Sequence, residues 1–582
     1  MLGGFQVEEL TIVIGGEQGE GIESVGEILT KVLSQMGFNL YGFRNFSSRI
    51  KGGHSDFNLR INSEKEIYVN AEIVNILIAF DVATISLYKD QMAENSIILY
   101  DSKSVKATDI PRLSEKVIVV EAPFQQLSKE LGSSIMKNMV ALGMVCALVN
   151  QSKDAFKENI LDRFSKKGTK VVDNNVAAFD KGYEFVKQKG IYSPPLAPNK
   201  GSKKIFLSGN EAMAIGAIAA GCRFMAGYPI TPASEILENL IRMMPDFGGV
   251  VVQAEDELSS IAMAIGASFT GTRSMTATSG PGVSLMQEAI GLSGAVEIPL
   301  VIIDTQRGGP SSGLATKMEQ SDLTAMMGGT HGEIPRIIIS PSTVEEAMYD
   351  MGTAFNLAEN YQCPVFIAAD LVLSTSKQSS RTSDLGDIEM DRGKRMSDEE
   401  LIMAESKVFN RFAFTDDHIS PRSIPGQKYG THHVTGIEHG ETGHPTEDYK
   451  NREQMMIKRM CKIEGVTIGE DIKVEGDGED LLIIGFGSTY GAIKEACEEL
   501  QASGTKAGLA HVRLIHPLPT EKLRKLINKA RQVIVVENNF TGQLANVIKQ
   551  NFTEHSKIQK LTKYDGRPFR PSEIMSYCKE LV

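Results

Sequence analysis

The chain has 582 residues, 42% hydrophobic and 23% charged, an ordinary globular balance with room for about three or four domains. Its formal net charge of -12 argues against nucleic acid or an anionic membrane as the main partner, because both bind basic surfaces. The six cysteines are scattered with no C-x-x-C pair, so reduced buried thiols and no iron–sulfur cluster in this chain are expected. The opening MLGGFQVEEL has neither the basic nor the apolar region of a signal peptide, and no apolar run approaches the roughly 18 residues that cross a bilayer. A cytoplasmic protein without membrane contact is expected.

Residues 9–15 read as a buried strand, followed by the loop Gly15 to Gly21 and a helix whose apolar face carries Ile22, Val25, Ile28, Leu29, Val32, Leu33 and Met36. The loop spacing fits neither nucleotide-binding glycine pattern, and Glu17 and Glu20 would repel a phosphate seated there. After a strand at 39–46, Arg44, Arg49 and Lys51 crowd the turn Gly52-Gly53. Cations beside a flexible backbone suit a polyanion; a solvated hairpin is the alternative. Further strands are expected at 97–99 and 117–120, and a buried helix at 136–149. Pro194, Pro195 and Pro198 among lysines then mark a semi-rigid spacer.

From Ala226 to Leu323 four turns each follow a β-branched apolar run and lead into a helical pattern. This is the layout of an open α/β site at the carboxyl ends of parallel strands. Thr231-Pro232 reads as an N-cap with proline at the first helical position, leaving a helix N-terminus able to hold an anion. Among Glu255, Asp256 and Glu257, helical spacing puts Glu257 on one face with Ile261, Ala264, Ile265 and Ser268. Glu257 is thus the acid expected to point inward, with a structural cap as the alternative. Arg307, after an apolar strand, has a planar fork suited to a carboxylate; the alternative is a pairing with Glu319 or Asp322.

The turns Tyr228-Pro229-Ile230-Thr231-Pro232, Thr278 to Gly282 and Gln306-Arg307-Gly308-Gly309-Pro310-Ser311 resemble, in order, the thiamine-diphosphate-binding alpha subunit of the 2-oxoacid:ferredoxin oxidoreductases. Residues 5–190 resemble the gamma subunit of the same family. The resemblance implies a multidomain α/β chain: a gamma-like domain (1–190), a linker (191–204), a pyrimidine-binding domain (205–395), an irregular cover segment (396–470) and a transketolase C-terminal-like domain (471–582). It implies Glu257 as the catalytic acid that hydrogen-bonds the thiamine aminopyrimidine, and Thr231, Arg307, Tyr228 and Ser311 as substrate-binding residues. Pro229, Ile230, Ser279 and Gly280 join Glu257 in contacting the cofactor, and Arg49, Lys51, Gly52 and Gly53 contact coenzyme A. A beta partner is implied as carrier of the diphosphate site, Mg2+ and a 4Fe-4S cluster in an (alpha-beta)2 assembly. Ferredoxin takes the electrons, and 2-oxoglutarate is the favoured oxoacid.

The segment 411–450 holds His418, His432, His433, His439 and His444, but no helical i,i+4 pair supports a metal site; a cover or interface loop is expected. The last domain repeats strand, glycine turn and helix, which predicts another parallel sheet that packs and orients its neighbours. Gly476-Asp477-Gly478 invites a magnesium reading, but the asparagine which that motif requires is missing at its usual distance, so a turn is expected. Rival readings are a non-catalytic assembly or regulatory subunit and an acyl-CoA transferase or synthetase.

Overall fold

The computed structural model describes residues 6–45, 53–131, 136–199, 201–381, 388–404, 408–553 and 555–581. Two compact units are present: Met1–Leu207 with Ser376–Ser383, and Ser208–Thr375 with Asp384–Val582. In chain order the strands are β1 (Glu9–Glu17), β2 (Asn39–Asn45), β3 (His54–Asn62), β4 (Val74–Ala79), β5 (Met92–Asp101), β6 (Ile118–Ala122) and β7 (Lys204–Ser208). Then come β8 (Phe224–Gly227), β9 (Val250–Gln253), β10 (Ser274–Thr278), β11 (Leu300–Gln306), β12 (Ile337–Ile339), β13 (Pro364–Asp370) and β14 (Lys377–Arg381). The last are β15 (Ile472–Gly476), β16 (Leu481–Gly485), β17 (Ala507–Val512), β18 (Leu514–His516), β19 (Gln532–Glu537) and β20 (Ile558–Thr562).

The first unit is built on a mixed sheet in the order β6-β5-β4-β1-β3-β2-β14-β7. β1 runs to Glu17 rather than ending at Gly15, because Gly16 and Glu17 continue the antiparallel ladder opposite Ser55 and His54. The helix Lys137–Val149 is buried along its whole length because it crosses the helix Thr169–Lys189 at very short range. A Cβ at Gly143 would strike the Phe179 carbonyl, and one at Gly182 the Val140 carbonyl, so only glycine at both positions lets the backbones meet.

The second unit holds two sheets. The larger has the order β18-β12-β13-β11-β10-β8-β9; β8 to β13 are parallel throughout, so their carboxyl ends share one edge. The smaller, β15-β17-β16-β19-β20, corrects one expectation. It is not purely parallel, because β15 runs antiparallel to β17. The triplet Gly476-Asp477-Gly478 is the turn from β15 to β16, with both glycines at positive φ and Asp477 ion-paired to Lys529.

Candidate active site

Four turns leave the carboxyl edge of the larger sheet. The chain leaves β8 toward β9 on one side and leaves β10 toward β11 on the other, so β8 and β10 bound the opening where strand order reverses. After β8, Tyr228 is exposed. The helix starts at Ser234 with Ala233 as its cap, so Thr231 is not the N-cap and Pro232 is not the first helical residue. The turn is closed by the Ser234 N–H donating to the Ile230 carbonyl (3.0 Å), which moves the helix start beyond the proline. The Asn210 side chain donates to the Pro232 carbonyl (2.9 Å) and fixes the turn from below.

After β9, Asp256 caps the next helix by accepting from the Ser259 N–H (2.7 Å). That leaves Glu257 as its first residue, 6% exposed, on the face shared with Ile261, Ala264, Ile265 and Ser268, all buried. After β10, Ser279 precedes the helix Gly280–Ala295 without making a side-chain cap, and its hydroxyl is buried and unpartnered. A Cβ at Gly282 would strike Thr278 Oγ1 and lie 2.8 Å from Glu257 Cγ. A Cβ at Gly280 would lie 2.5 Å from Asp322 Oδ1. The two glycines therefore let two carboxyls press against the first turn of one helix, where the positive end of its dipole favours them.

After β11, Arg307 is 7% exposed, and its Nη1 donates to the Thr231 carbonyl, which joins the first and last of the four turns. Arg307 Nε has no partner among the described residues. Burial lowers the guanidinium pKa and the Asp322 charge opposes that shift. A cavity of about 800 Å³ opens here, lined by Gly280, Arg307, Ser311, Asp322, Phe540 and Gln543 among others. Of the sequence-predicted residues, Gly280, Arg307 and Ser311 line it, Thr231 reaches it through Arg307, and Glu257 lies next to Gly282. Tyr228, Pro229 and Ile230 are outside its lining.

Two features escaped sequence reasoning. Buried Asp304 interacts electrostatically with half-buried Asp322, and the only signal for the first is a lone acid in the apolar run LVIIDTQ. The far wall comes from the carboxyl-terminal region and rests on Gln320. Its main-chain N–H donates to the Asn538 carbonyl (2.7 Å) and its side-chain N–H to Asp370 Oδ2 (2.9 Å) and the Phe486 carbonyl (3.0 Å).

Elsewhere, Arg49, Lys51 and Gly52 lie outside the described residues; the Gly53 carbonyl accepts from the Gln18 N–H (2.8 Å), and Arg44 pairs with Glu23. No metal-binding group of histidine, cysteine or acidic side chains occurs among the described residues. Within residues 411–450 His433 and His444 stack on each other and His439 packs on Phe412. No described helix is long and apolar enough to cross a membrane.

Three family models match successive stretches of the chain. Residues 11–185 match "Pyruvate ferredoxin/flavodoxin oxidoreductase", and residues 215–458 match "Pyruvate flavodoxin/ferredoxin oxidoreductase, thiamine diP-bdg". Residues 479–574 match "Pyruvate:ferredoxin oxidoreductase core domain II". A 2-oxoacid:ferredoxin oxidoreductase subunit alpha of Sulfolobus sp is 34% identical over 97% of this chain and 96% of its own. The chain belongs to the 2-oxoacid:ferredoxin oxidoreductase family. The 2-oxoglutarate synthase subunit KorA of Methanocaldococcus jannaschii is 38% identical, over 63% of this chain and 97% of its own. A solved 2-oxoglutarate:ferredoxin oxidoreductase from Magnetococcus marinus, with 2-oxoglutarate, coenzyme A and succinyl-CoA bound, superposes with a TM-score of 0.92 at 36% identity. That match covers 99% of this chain and 100% of the other. As a chain whose full-length relatives are named alpha subunits, this oxidoreductase is one component of a multi-subunit complex.

Proposed function

We propose that this chain is the alpha subunit, with a gamma-like region fused ahead of it, of a thiamine-diphosphate-dependent 2-oxoacid:ferredoxin oxidoreductase. A 2-oxoacid, with 2-oxoglutarate favoured, and coenzyme A give acyl-CoA and CO2, while two electrons pass one at a time to ferredoxin. The observation that carries this reading is full-length likeness to a 2-oxoglutarate:ferredoxin oxidoreductase. The partner is a beta subunit that brings Mg2+, a 4Fe-4S cluster and the diphosphate site, in an (alpha-beta)2 complex of the cytoplasm.

The residues present fit half of a thiamine site. Glu257 is buried yet takes no hydrogen bond from a described residue, the missing side chain of Gly282 lets it press against the next helix, and the Ser279 hydroxyl has no partner among the described residues. When bound, thiamine diphosphate supplies the carbon nucleophile that adds to the oxoacid carbonyl. Glu257 holds a proton at a pyrimidine ring nitrogen, and Pro229, Ile230, Ser279 and Gly280 bracket the ring. Arg307, tethered by the Thr231 carbonyl, keeps the rest of its fork for the oxoacid carboxylate, with Thr231, Tyr228 and Ser311 around it. Residues 1–190 supply the coenzyme A side through the turn Arg49, Lys51, Gly52 and Gly53, and 191–204 link them to the pyrimidine-binding domain 205–395. Residues 396–470 cover that domain, and 471–582 orient it.

The test is coexpression with a beta subunit from the adjacent reading frame and an anaerobic assay of coenzyme A-dependent viologen reduction across several oxoacids. Reduction with 2-oxoglutarate ahead of pyruvate is expected. Thioester formation by the purified chain alone, without thiamine, would establish the synthetase or transferase reading instead. An assembled complex inert toward every oxoacid would point to the regulatory one.

A further inference from the structure

Asp304 lies near the carboxyl end of β11, 0% exposed, and neither of its carboxyl oxygens has a hydrogen-bond partner among the described residues. A carboxylate ionised in that state costs several kcal/mol, so Asp304 keeps its proton and needs an acceptor. The acid whose charge acts on it is Asp322, which is tied by its N–H to Gln306 at the end of β11 and whose Oδ2 is likewise buried and without a partner among the described residues. The main chain that carries Asp322 is held on both sides. The Asp322 N–H donates to Gln306 Oε1 (3.1 Å), its neighbour Gln320 is held at Asn538, and Thr324 N–H donates to Gln543 Oε1 (2.9 Å).

Asp322 also lines the same cavity as Arg307. The charged groups facing it are Asp304 from β11, Arg307 just beyond that strand, and Glu319 from its own loop. The helix Gly280–Ala295 meets it at Gly280; the cavity lining from that helix and from the 539–543 loop carries no charged side chain, and Tyr564 is the further titratable group on it. In the resting site one proton sits on the pair, and the Asp322 charge balances Arg307. An oxoacid carboxylate arriving at Arg307 adds a second negative charge to a space with one cation.

We propose that binding of a 2-oxoacid carboxylate at Arg307 is coupled to uptake of one proton from solvent by the Asp304–Asp322 pair. The proton lands on Asp322, which changes from a rival for the guanidinium into a second donor to the bound carboxylate. No other bond is made or broken in this step. The direction of the titration agrees: burial, then the Glu319 charge, push the Asp322 carboxyl up to about 6 against the opposing pull of Arg307. Burial, then Asp322, hold Asp304 well above the usual carboxylate range. Because uptake accompanies binding, affinity must fall as pH rises through the Asp322 value.

This inference rests on the oxoacid reading of Arg307, and the experiment separates the two. The probes are oxamate and N-oxalylglycine, amides shaped like 2-oxoacids that cannot be decarboxylated, titrated calorimetrically into the alpha–beta complex at pH 6 and pH 8 in buffers of different ionisation enthalpy. Uptake close to one proton at pH 7 and affinity weaker by more than about tenfold at pH 8 than at pH 6 are expected. Asp322→Asn, a permanent neutral donor, should remove both the uptake and the pH dependence. Binding that needs Arg307, as judged by Arg307→Ala, but takes up no proton overturns the proposal alone. Binding unchanged by Arg307→Ala overturns the oxoacid reading together with it. The uptake measurement on the unsubstituted complex stands even if a variant fails to assemble.

Discussion

Glu297, just ahead of β11, and Asp304, near the other end of the same strand, are both fully withdrawn from solvent, yet their surroundings are opposite. Glu297 meets Lys458 and Lys462 through its carboxylate and Arg411 through its carbonyl. Burial pushes its pKa up, but Lys462, Lys458 and Arg411 more than offset that and leave it well below the usual range. Asp304 receives no donor from any described residue. The amino edge of the sheet thus uses buried charge to fasten the 411–462 segment, whereas the carboxyl edge leaves polar groups unpaired. A fold tolerates that cost where a ligand will complete the set.

If this division holds, changes at one edge should cost activity and changes at the other stability. The largest effect is expected from Glu257→Gln at the carboxyl edge. Turnover should fall by about a thousandfold, the loss of one positioned proton-transferring group, with complex assembly and thermal midpoint unchanged; full activity would refute the role of this acid. At the amino edge, Glu297→Gln leaves Lys458, Lys462 and Arg411 without their counter-charge and should destabilise by about 3–5 kcal/mol, read from urea unfolding. The folded fraction should keep its turnover. Gly282→Ala comes next: the added methyl meets Thr278 and Glu257, so turnover should drop by about a hundredfold through misplacement of the acid. Stability should fall by no more than about 2 kcal/mol, because alanine's helix preference over glycine, worth about 1 kcal/mol, offsets part of the overpacking. Equal turnover in both proteins would mean that the close approach at Gly282 has no bearing on the reaction.

What the sequence makes legible is what repeats locally. The helix beginning at Glu257 is readable from Ile261, Ala264, Ile265 and Ser268, because a 3.6-residue stripe survives in any tertiary context. β10 and β11 are readable as apolar runs closed by glycine turns. What needs distant partners is not. β14 joins β2 through Lys377 opposite Gly42, helped by the Leu40 N–H donating to Ser379 Oγ (2.8 Å), and nothing in either segment announces the other. The Thr231 cap failed for a related reason: Thr-Pro is a common helix start, but here the Ile230–Ser234 bond and Asn210 decide where the helix begins. The wall at Asn539 and Gln543 was equally hidden, since it rests on Gln320, Ser321 and Thr324 meeting a loop more than 200 residues later.

The first unit offers the smallest and most exacting extension of the comparison, because its buried acid Asp56 is closed like Glu297 but by a titratable partner. Asp56 accepts from Tyr88 (2.8 Å) and Asn45 (3.0 Å), and His54 Nε2 lies 3.0 Å from its other oxygen. The hydrogen bond to Asp56 and the Asp81 carboxylate 3.9 Å from Nδ1 raise His54 from 6.5 to about 9, against burial. A histidine whose folded value is raised stabilises fully below its unfolded value of about 6.5, and that contribution is lost as pH climbs through 9. The unsubstituted chain should therefore exceed His54→Gln in urea midpoint at pH 6, with the gap narrowing steadily to pH 9.5. The gap stays small because the ring keeps 26% of its surface in water, where solvent screens the pair. A gap that widened with pH would mean that the imidazole is neutral beside Asp56, and that this acid is held by uncharged donors alone.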